Sequence, residues 1–476
     1  MRERVRAMPP GSRLETPLTA GSTLCEGIQS QPSALPPGPT SPSFVQFTRS
    51  RLHPLKLFDE CSRRFGGCFT LRFVGGYTFV LFSDPEHLRQ IMNGDPAVYL
   101  GGKANEPVVP IVGPNSLVAL DGERHLAQRR LILPAFHAER MSVYCEIIRE
   151  VTDLAIERWK AGSQFRLLDE IQRIVLDVMV HAVFGVDRDA VQELRPQLRK
   201  IMSLADTPLA AWRLIPAFQG GAFGKGLREK NELLAQQVAI RRERGTKGRA
   251  DILSMLIEAR DDSGNALTDA ELRDQMFTLL VAGYETTAAA LAWALHRILT
   301  EPGVLENTLA ELRKVVGASD LRAQQIGELE YLDAAIKESM RLDPVTPLAG
   351  GRKLGAPATV GRWQLPAGIT VSGCVYLTHR RPDLWPDPLS YRPERFIGQR
   401  PKPYSFLPFG AGDRRCIGAA FATYEMKVVL AEILLRCKLR VAPGYRPRPR
   451  KRVLAVAPSQ GMPVVLDRTP QKSVDE

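Results

Sequence analysis

The residues most suited to chemistry surround one cysteine, Cys416. It lies in the glycine-rich run Phe406–Gly418, and an apolar stretch at 419–435, predicted to be a helix, follows directly. The dipole and free N–H groups of a helix N-terminus stabilise a thiolate, and Arg414 adds a fixed positive charge nearby. Glycines in the run permit tight turns and close approach to the backbone. If the apolar residues around this run form a pocket, a thiolate inside it is suited to bind a soft metal ion. The alternative is an ordinary buried cysteine beside a loop.

A second informative stretch is the long apolar segment 268–300. Thr268–Glu271 has the pattern of a capping box, and Pro302 explains where the helix ends. About 32 residues rising about 1.5 Å each give a rod of roughly 48 Å, enough to cross the molecule. Between Met276 and Leu295 the helix is apolar on nearly every side, which is typical of a helix buried in a large core or spanning a membrane.

The run Ala282–Thr287 interrupts this apolar pattern. Burying the carboxylate of Glu285 is costly unless it is paired or used. Gly283 weakens the helix by about 1 kcal/mol relative to alanine and leaves space beside the backbone. A threonine here can bond the carbonyl one turn back and distort the helix locally. Either a reaction uses these groups, or they form a buried salt bridge with a helix bend.

The elements that must position these groups are mainly α-helical, with small β-sheets. A hairpin is expected from strands 69–74 and 77–82, joined at Gly75-Gly76. Short strands are expected again within 356–378. Helices are predicted at 84–93, 121–133, 138–160, 167–185, 227–244 and 305–316.

The chain is divided into a tail and one domain. Residues 1–34, rich in serine, threonine, glycine and proline, are predicted to be a mobile N-terminal tail. The stiff run Leu35–Pro39 begins a single domain at 35–476. The basic stretch 446–452 is predicted to be a solvated loop.

Composition and charge restrict the class of protein. With 44% hydrophobic and 24% charged residues, the 476-residue chain is not extensively disordered. The net charge of +12 favours an anionic partner, and nucleic acid is the weaker choice because no recognition motif accompanies the charge. Seven scattered cysteines without a C-x-x-C pair argue against zinc, iron–sulfur and disulfide frameworks. No apolar stretch follows the N-terminal arginines, so a soluble protein with no integral membrane anchor is expected.

Four motifs together resemble the cytochrome P450 family. The run Phe406–Gly418 is similar to the family's haem-binding signature, and Ala282–Thr287 to its oxygen-activating segment. Glu338–Arg341 matches the E-x-x-R helix, and Pro393–Phe396 matches the segment whose arginine joins that pair. The resemblance implies a cytochrome P450 fold in which the long helix crosses above a haem b group (iron protoporphyrin IX). It also implies a monooxygenase that inserts one oxygen atom of O2 into its substrate.

By this resemblance, Cys416 is the metal ligand, the proximal thiolate of the haem iron. A thiolate pushes electron density onto the iron and favours O–O cleavage. Phe409 is expected to pack near the proximal face. Gly410, Ile417 and Gly418 belong to the same cofactor-binding loop, and backbone N–H groups after Cys416 would tune the thiolate.

Four basic side chains are expected to bind the haem propionates. Arg414 is one of them, and Arg352 follows the E-x-x-R helix at a spacing similar to another. His125 and Arg129 are four residues apart and share a helix face. They resemble the family's propionate-binding pair, although tryptophan often takes the position of His125. The alternative for these two residues is a solvated helix face.

The resemblance also implies two polar groups with different roles. Glu338, Arg341 and Arg395 are expected to form a buried ion-pair network, whose role is structural. Glu285 and Thr286 are expected to face the distal pocket as catalytic residues. There the hydroxyl would hold a water and the acid would relay protons from outside.

The substrate pocket is expected to be formed by 97–118, 202–224, 345–349, the turn 460–462 and the distal face of the long helix. Its mostly apolar side chains suit a lipophilic substrate such as a fatty acid, terpenoid or steroid, although each could equally be core. The candidates are Leu117, Val118, Ala282, Val345, Leu348 and Met462.

The electron source is expected to be a separate protein. The sequence contains no P-loop, dinucleotide-binding glycine motif, flavin module or ferredoxin module. This resembles the soluble bacterial type, a cytoplasmic monomer served by a ferredoxin or flavodoxin with its reductase. Such donors are usually acidic and would dock on the basic surface near Cys416 that includes Arg415.

Two other functions stay open. A non-enzymatic haem-thiolate protein that binds a ligand or gas needs Cys416 but not Glu285 and Thr286. A peroxide-driven or isomerising relative often alters that pair. Because both residues are present, the sequence favours the monooxygenase.

Overall fold

The computed structural model describes residues 35–186, 188–203, 221–317, 319–452 and 454–468. The predicted tail 1–34 lies outside these residues, and so does 204–220, most of the second segment expected around the substrate.

Helices dominate the described chain, as predicted. In chain order they are α1 (Ser43–Leu52), α2 (Pro54–Phe65), α3 (Pro85–Met92), α4 (Gly101–Ala104), α5 (Val109–Val112), α6 (Gly122–Ile132), α7 (Ala138–Ile156), α8 (Leu167–Phe184), α9 (Arg188–Ser203), α10 (Gly221–Arg244), α11 (Ile252–Glu258), α12 (Asp269–Thr300), α13 (Val304–Val316), α14 (Glu330–Leu342), α15 (Val375–Thr378) and α16 (Ala419–Arg436).

The strands are short and form small sheets. They are β1 (Cys68–Arg72), β2 (Thr78–Phe82), β3 (Tyr99–Leu100), β4 (Gln164–Arg166), β5 (Ala349–Leu354), β6 (Ala358–Val360), β7 (Trp363–Leu365), β8 (Thr370–Gly373), β9 (Lys438–Val441), β10 (Pro449–Lys451), β11 (Val456–Pro458) and β12 (Pro463–Arg468). The largest sheet has the order β1-β2-β8-β5-β3, and a three-stranded sheet has the order β4-β12-β9. The pairs β6-β7 and β10-β11 are separate hairpins.

The predicted N-terminal hairpin is present. β1 and β2 pair antiparallel, with Cys68 opposite Phe82. Gly75 and Gly76 take φ values of 83° and 78°, the left-handed region that glycine enters without strain. The strands expected within 356–378 are β6, β7 and β8, but 375–378 is the short helix α15, so the prediction was wrong there. The sheet ends because Cys374 donates its N–H to Phe82 and the chain then turns into helix.

The long helix α12 is the centre of the fold. It begins with the predicted capping box, in which Thr268 and Glu271 bond each other's backbone N–H groups, and it runs for 32 residues to Thr300. It packs against α8, α10, α14 and α16. Among the described residues it is the helix long and apolar enough to cross a bilayer, yet 72% of its apolar window is buried inside the protein. It is therefore the core helix of this fold, and it carries Ala282–Thr287 into the interior.

Candidate active site

The Cys416 loop (Phe406–Gly418) is held by backbone contacts, both within itself and to the end of α3. Gly410 and Gly412 take φ values of 66° and 65°, and a Cβ on Gly412 would lie 2.1 Å from the carbonyl oxygen of Met92. The N–H of Cys416 donates to the carbonyl of Phe409 at 2.9 Å. These contacts fix the sulfur just before α16, which begins three residues later.

The thiol of Cys416 differs from the other thiols of the described chain. Cys416 is exposed, whereas Cys61, Cys145, Cys374 and Cys437 are buried. Packing around the Cys416 sulfur raises the pKa of its thiol, while a hydrogen bond from Gly418 and the charges of Arg129 and Arg415 lower that pKa. In Cys374 and Cys437, burial outweighs the charges of Arg380 and Arg436 and raises the pKa of each thiol to about 12. Cys416 is therefore the thiol with both access and electrostatic support for a thiolate.

The four predicted propionate-binding residues come together. The charges of Arg129, Arg352 and Arg414 all act on buried His125, and burial with these charges lowers the pKa of His125 to about 4. Arg352 is 5% exposed, and burial followed by the nearby charge of Arg414 lowers its pKa to about 10. Three guanidinium groups and a neutral imidazole thus surround one region, an arrangement that favours anionic groups.

Asp121 organises this region and was missed by the sequence analysis. Its carboxylate accepts hydrogen bonds from the N–H groups of Gly102 at 2.7 Å and Lys103 at 2.9 Å. It also pairs with Arg414 at 2.6 Å, and Arg414 further donates to the carbonyl of Leu120. The available signal was its position immediately before α6, where an acid is favoured. Asp121 therefore links the start of α6 to the Cys416 loop.

The predicted ion-pair network is present, and its central pair is completely buried. Arg341 bonds Glu338 through two contacts of 2.7 Å, and both side chains are 0% exposed. Arg395 adds a contact of 3.2 Å to the same carboxylate, and the N–H of Arg392 adds one of 2.9 Å. Arg341 also donates to the carbonyl of His379 at 2.8 Å. The network therefore joins α14 to the segment that precedes the Cys416 loop.

His379 extends this network to the Cys416 loop and was not predicted. Its Nε2 accepts the N–H of Leu407 at 2.9 Å, so its Nδ1 carries the proton and donates to the carbonyl of Arg341 at 3.2 Å. The ring stacks on Phe406 with centroids 5.3 Å apart. Burial lowers its pKa to about 3, helped by the charge of Arg341. His379 belongs to none of the motifs found in the sequence, so no sequence signal indicated this role.

On α12, called the distal helix from here on, Ala282 and Thr286 are accessible within an otherwise buried stretch. Ala282 is exposed and Thr286 half-buried, whereas Ala288–Leu295 are buried. Thr286 Oγ1 donates to the carbonyl of Ala282 at 2.5 Å, the bond expected from the sequence. The space at Gly283 is taken by Met179 of α8, since a Cβ there would lie 2.8 Å from its sulfur. The open surface of α12 is therefore centred on Ala282 and Thr286.

Glu285 makes contacts that its expected position in the distal pocket did not predict. Its carboxylate accepts the N–H of Leu454 at 2.8 Å and lies 3.5 Å from Arg452 Nε. Both partners lie in the segment between strands β10 and β11. The physical reason is the cost of burying a carboxylate, because Glu285 is only 8% exposed. The salt bridge left open by the sequence is thus present.

The basic stretch 446–452 is only in part the solvated loop that was predicted. Arg446, Arg448 and Arg450 are exposed. Lys451 ends strand β10, and burial, with the like charge of Arg51, lowers its pKa to about 8. Together with Arg452 it turns inward toward Glu285, because a buried carboxylate attracts cations that are themselves partly desolvated.

The expected substrate residues occupy different environments. The N–H of Leu117 donates to Gln275 of α12 at 3.0 Å, which places Leu117 against this helix. The carbonyl of the next residue, Val118, accepts a hydrogen bond from Asn105 at 3.0 Å. The carbonyl of Val345 accepts the N–H of Val456 at 2.7 Å. Leu348 packs on the cluster around α2 and β1. Met462, at φ 53°, is 0% exposed within the main core.

Comparison with known proteins identifies the family. A model of the family described as cytochrome P450 matches residues 32–463. The chain belongs to the cytochrome P450 family. It is therefore a haem-dependent monooxygenase.

Proteins similar to this P450 include two from Mycobacterium tuberculosis. The protein named "Putative cytochrome P450 135B1" of Mycobacterium tuberculosis (strain H37Rv) is 35% identical over 434 residues, which are 90% of each chain. "Putative cytochrome P450 135A1" of the same strain is 33% identical over 439 residues, covering 90% of this chain and 94% of the relative.

Solved structures share the P450 fold. The retinoic acid-bound cyanobacterial CYP120A1 aligns with a TM-score of 0.80 at 24% identity, covering 92% of this chain and all of the other. A cytochrome P450 named CYP102L1 aligns with a TM-score of 0.81, also at 24% identity.

The residues of this P450 fit a haem. The Cys416 thiol is accessible, and Ala282 is exposed in the middle of a core helix. The side chains of His125, Arg129, Arg352 and Arg414 supply donors for two carboxylates, with Asp121 and Asp413 as the nearby acids. This set of one soft ligand and several anion-binding side chains is the chemistry that an iron porphyrin with two propionates requires.

Proposed function

We propose that this P450 uses haem b to hydroxylate a lipophilic molecule with electrons from a separate ferredoxin or flavodoxin. The observation that carries the proposal is the accessible Cys416 thiol, supported by the Gly418 N–H and by the charges of Arg129 and Arg415. Cys416 would be the iron ligand, and the bound haem would supply the activation of O2. Phe409, Gly410, Ile417 and Gly418 would shape the proximal side.

The propionates would be held by His125, Arg129, Arg352 and Arg414. Arg414 is already fixed by Asp121 at 2.6 Å, so its guanidinium needs little reorganisation when an anion binds. Arg352 is anchored by donating to the carbonyl of Gly350 at 2.8 Å. A histidine at position 125 contributes one N–H, as the usual tryptophan would.

Thr286 and Glu285 would handle protons. The Thr286 hydroxyl, on the open surface of α12, would hold a water beside the reacting centre. Glu285, bonded to Leu454 and near Arg452, would take protons from the side of the C-terminal hairpin. The acid and the hydroxyl therefore connect the protein exterior with the open surface at Ala282.

The substrate would be a fatty acid, a terpenoid or a steroid. Ala282, Leu117, Val118 and Val345 offer apolar surface along and beside α12. Apolar walls with few polar groups select for lipophilic molecules. Leu348 and Met462 would contribute by packing behind this surface.

The electron donor would dock near Cys416. Arg415, one residue before the ligand, is exposed, and the chain has a net charge of +12. Opposite charges on an acidic donor would steer it there, so electron-transfer rates should fall as ionic strength rises. Rates that do not depend on ionic strength would argue against this docking site. The proposal describes a bacterial cytoplasmic monomer with no nucleic-acid partner.

The test of the substrate class is a titration of the ferric, haem-loaded protein with a long-chain fatty acid. Displacement of water from the haem shifts the Soret band from its low-spin to its high-spin position, and we expect the shift to saturate. An Ala282→Phe variant, which fills the open surface of α12, should lose the shift. A Leu389→Phe variant, changed at an exposed position far along the chain, should retain it. If no fatty acid, terpenoid or steroid shifts the band, the proposed substrate class is wrong.

A further inference from the structure

A second cleft lies at the carboxyl end of α8. Gly185 ends this helix at φ 56°, and a Cβ there would lie 2.4 Å from Asp251 Oδ2, so only glycine fits. The turn opens a cavity of about 370 Å³ where α8, α9, α10 and the segment leading to α11 meet. None of its lining residues belongs to the Cys416 loop, the propionate region or the distal surface at Ala282.

The cleft contains a buried arginine with unused donors. Arg241 is 5% exposed. Its Nη2 donates to the carbonyls of Phe184 and Gly185 and lies 3.6 Å from Asp251, which accounts for a role in capping α8. Its Nε and Nη1 are buried and have no hydrogen-bond partner. Buried polar groups are nearly always satisfied, so capping explains only part of this side chain.

Two more arginines make the cleft strongly cationic. Arg244 and Arg249 line it and are exposed, and Arg249 donates to the carbonyl of Gly185 at 3.4 Å. Burial, together with these two charges, lowers the pKa of the Arg241 guanidinium, whereas Asp251 raises it. Among the side chains that the structure describes at the cleft, three arginines and one carboxylate give a charge of 3 − 1 = +2. That charge matches a dianion such as a phosphate monoester at neutral pH.

Apolar side chains also line the cleft, beside the polar Gln237. Phe184 and Val186 line it at the end of α8, and Ile240 faces them from α10. Inorganic phosphate would leave this surface uncovered, whereas an ester with an organic group would bury it. We propose that this cleft binds an organic phosphate monoester, with the phosphate at Arg241, Arg244 and Arg249 and the organic group against the apolar wall.

Binding is tested by isothermal titration calorimetry of the haem-loaded full chain in phosphate-free buffer at constant ionic strength. The probes are phenyl phosphate, inorganic phosphate and phenol. We expect one saturable site for phenyl phosphate, weaker binding of inorganic phosphate and no binding of phenol to this site. Arg241 is left unchanged because it also caps α8.

The variants Arg244→Gln and Arg249→Gln each remove one charge from the cleft. Loss of a charged hydrogen bond should raise the dissociation constant of phenyl phosphate about ten- to a hundredfold. Arg313→Gln, at an exposed position on α13, should leave it unchanged. An unchanged melting temperature and an unchanged spectrum of the reduced carbon monoxide complex show that each variant is folded. The proposal is overturned if phenyl phosphate does not saturate a site, if both arginine variants bind like the wild type, or if inorganic phosphate binds as tightly as the ester.

Discussion

Arg452 lies 3.5 Å from Glu285, so a cation from the C-terminal segment faces the one acid in the middle of the distal helix. The two residues are 167 positions apart in sequence. The N–H of Leu454 bonds the same carboxylate at 2.8 Å. The acid proposed to carry protons is therefore positioned from outside the motif that contains it.

Arg452→Gln should destabilise the protein by about 1–3 kcal/mol, because it leaves the buried Glu285 carboxylate with less compensating charge. Glu285→Gln in the same chain should recover part of this loss, since no charge then remains to compensate. Urea unfolding of both single variants and the double variant gives the coupling energy, expected to be at least about 0.5 kcal/mol. Arg450→Gln, at an exposed position on β10, is the matched control and should change little. Strict additivity would show that the pair does not interact.

Thr286→Ala should raise the amount of peroxide released per electron consumed and lower substrate oxidation to the same extent. The physical reason is the loss of the hydroxyl on the open surface of α12 that would hold water for proton transfer. Parallel assays of peroxide, reducing equivalents and product measure this coupling. Thr287→Val changes the adjacent buried threonine and should leave the coupling near the wild-type value. Equal coupling in Thr286→Ala and wild type would remove Thr286 from the mechanism.

Glu338→Ala should yield protein with little bound haem. The change leaves the buried Arg341 guanidinium without its carboxylate partner, which lowers the free energy of unfolding by about 3–5 kcal/mol. It also weakens the contacts that run through His379 to the Cys416 loop. The ratio of haem to protein after purification measures the effect. Glu330→Ala, at an exposed position in the first turn of the same helix, should retain haem. Full haem occupancy in Glu338→Ala would refute the structural role of the network.

His379→Gln should alter how stability depends on pH. The pKa of His379 is lowered to about 3 in the folded protein, whereas it is about 6.5 in the unfolded chain. Between these two pH values the unfolded chain therefore binds a proton that the folded protein does not. The contribution of this residue is therefore complete above about pH 6.5 and is lost as pH falls, by about 1.4 kcal/mol per pH unit. The variant lacks this titration, so the difference in unfolding free energy between wild type and variant should narrow from neutral pH downward. A difference that stays constant with pH would contradict the assignment.

The elements and the main motifs of this P450 could be predicted because each rests on local sequence. The capping box at Thr268, the hairpin glycines and the E-x-x-R spacing each encode their own geometry within a few residues. His379, Asp121 and Arg452 were missed because their roles depend on contacts between distant segments. His379, for example, joins Arg341 to Leu407 through two backbone groups, and no local pattern reports such bonds.

The position of Glu285 is a second example of what a local sequence pattern does not predict. Its motif predicted an acid next to a threonine, but not which way the carboxylate would turn. Adjacent helical residues point about 100° apart, so Thr286 can face the open surface while Glu285 meets the C-terminal hairpin. One of its partners, Arg452, lies in a basic stretch whose composition indicated only a surface loop, and the other, Leu454, lies just beyond that stretch.

The most direct test of the central claim is the absorption spectrum of the reduced carbon monoxide complex of the haem-loaded protein, compared with that of Cys416→Ser. The wild type should show the red-shifted Soret band of thiolate ligation, and Cys416→Ser should lose it, while Cys374→Ser, which changes a buried thiol, should retain it wherever haem is bound. A thiolate-type band that persists in Cys416→Ser, or its absence from the wild type, would contradict the assignment of Cys416 as the iron ligand.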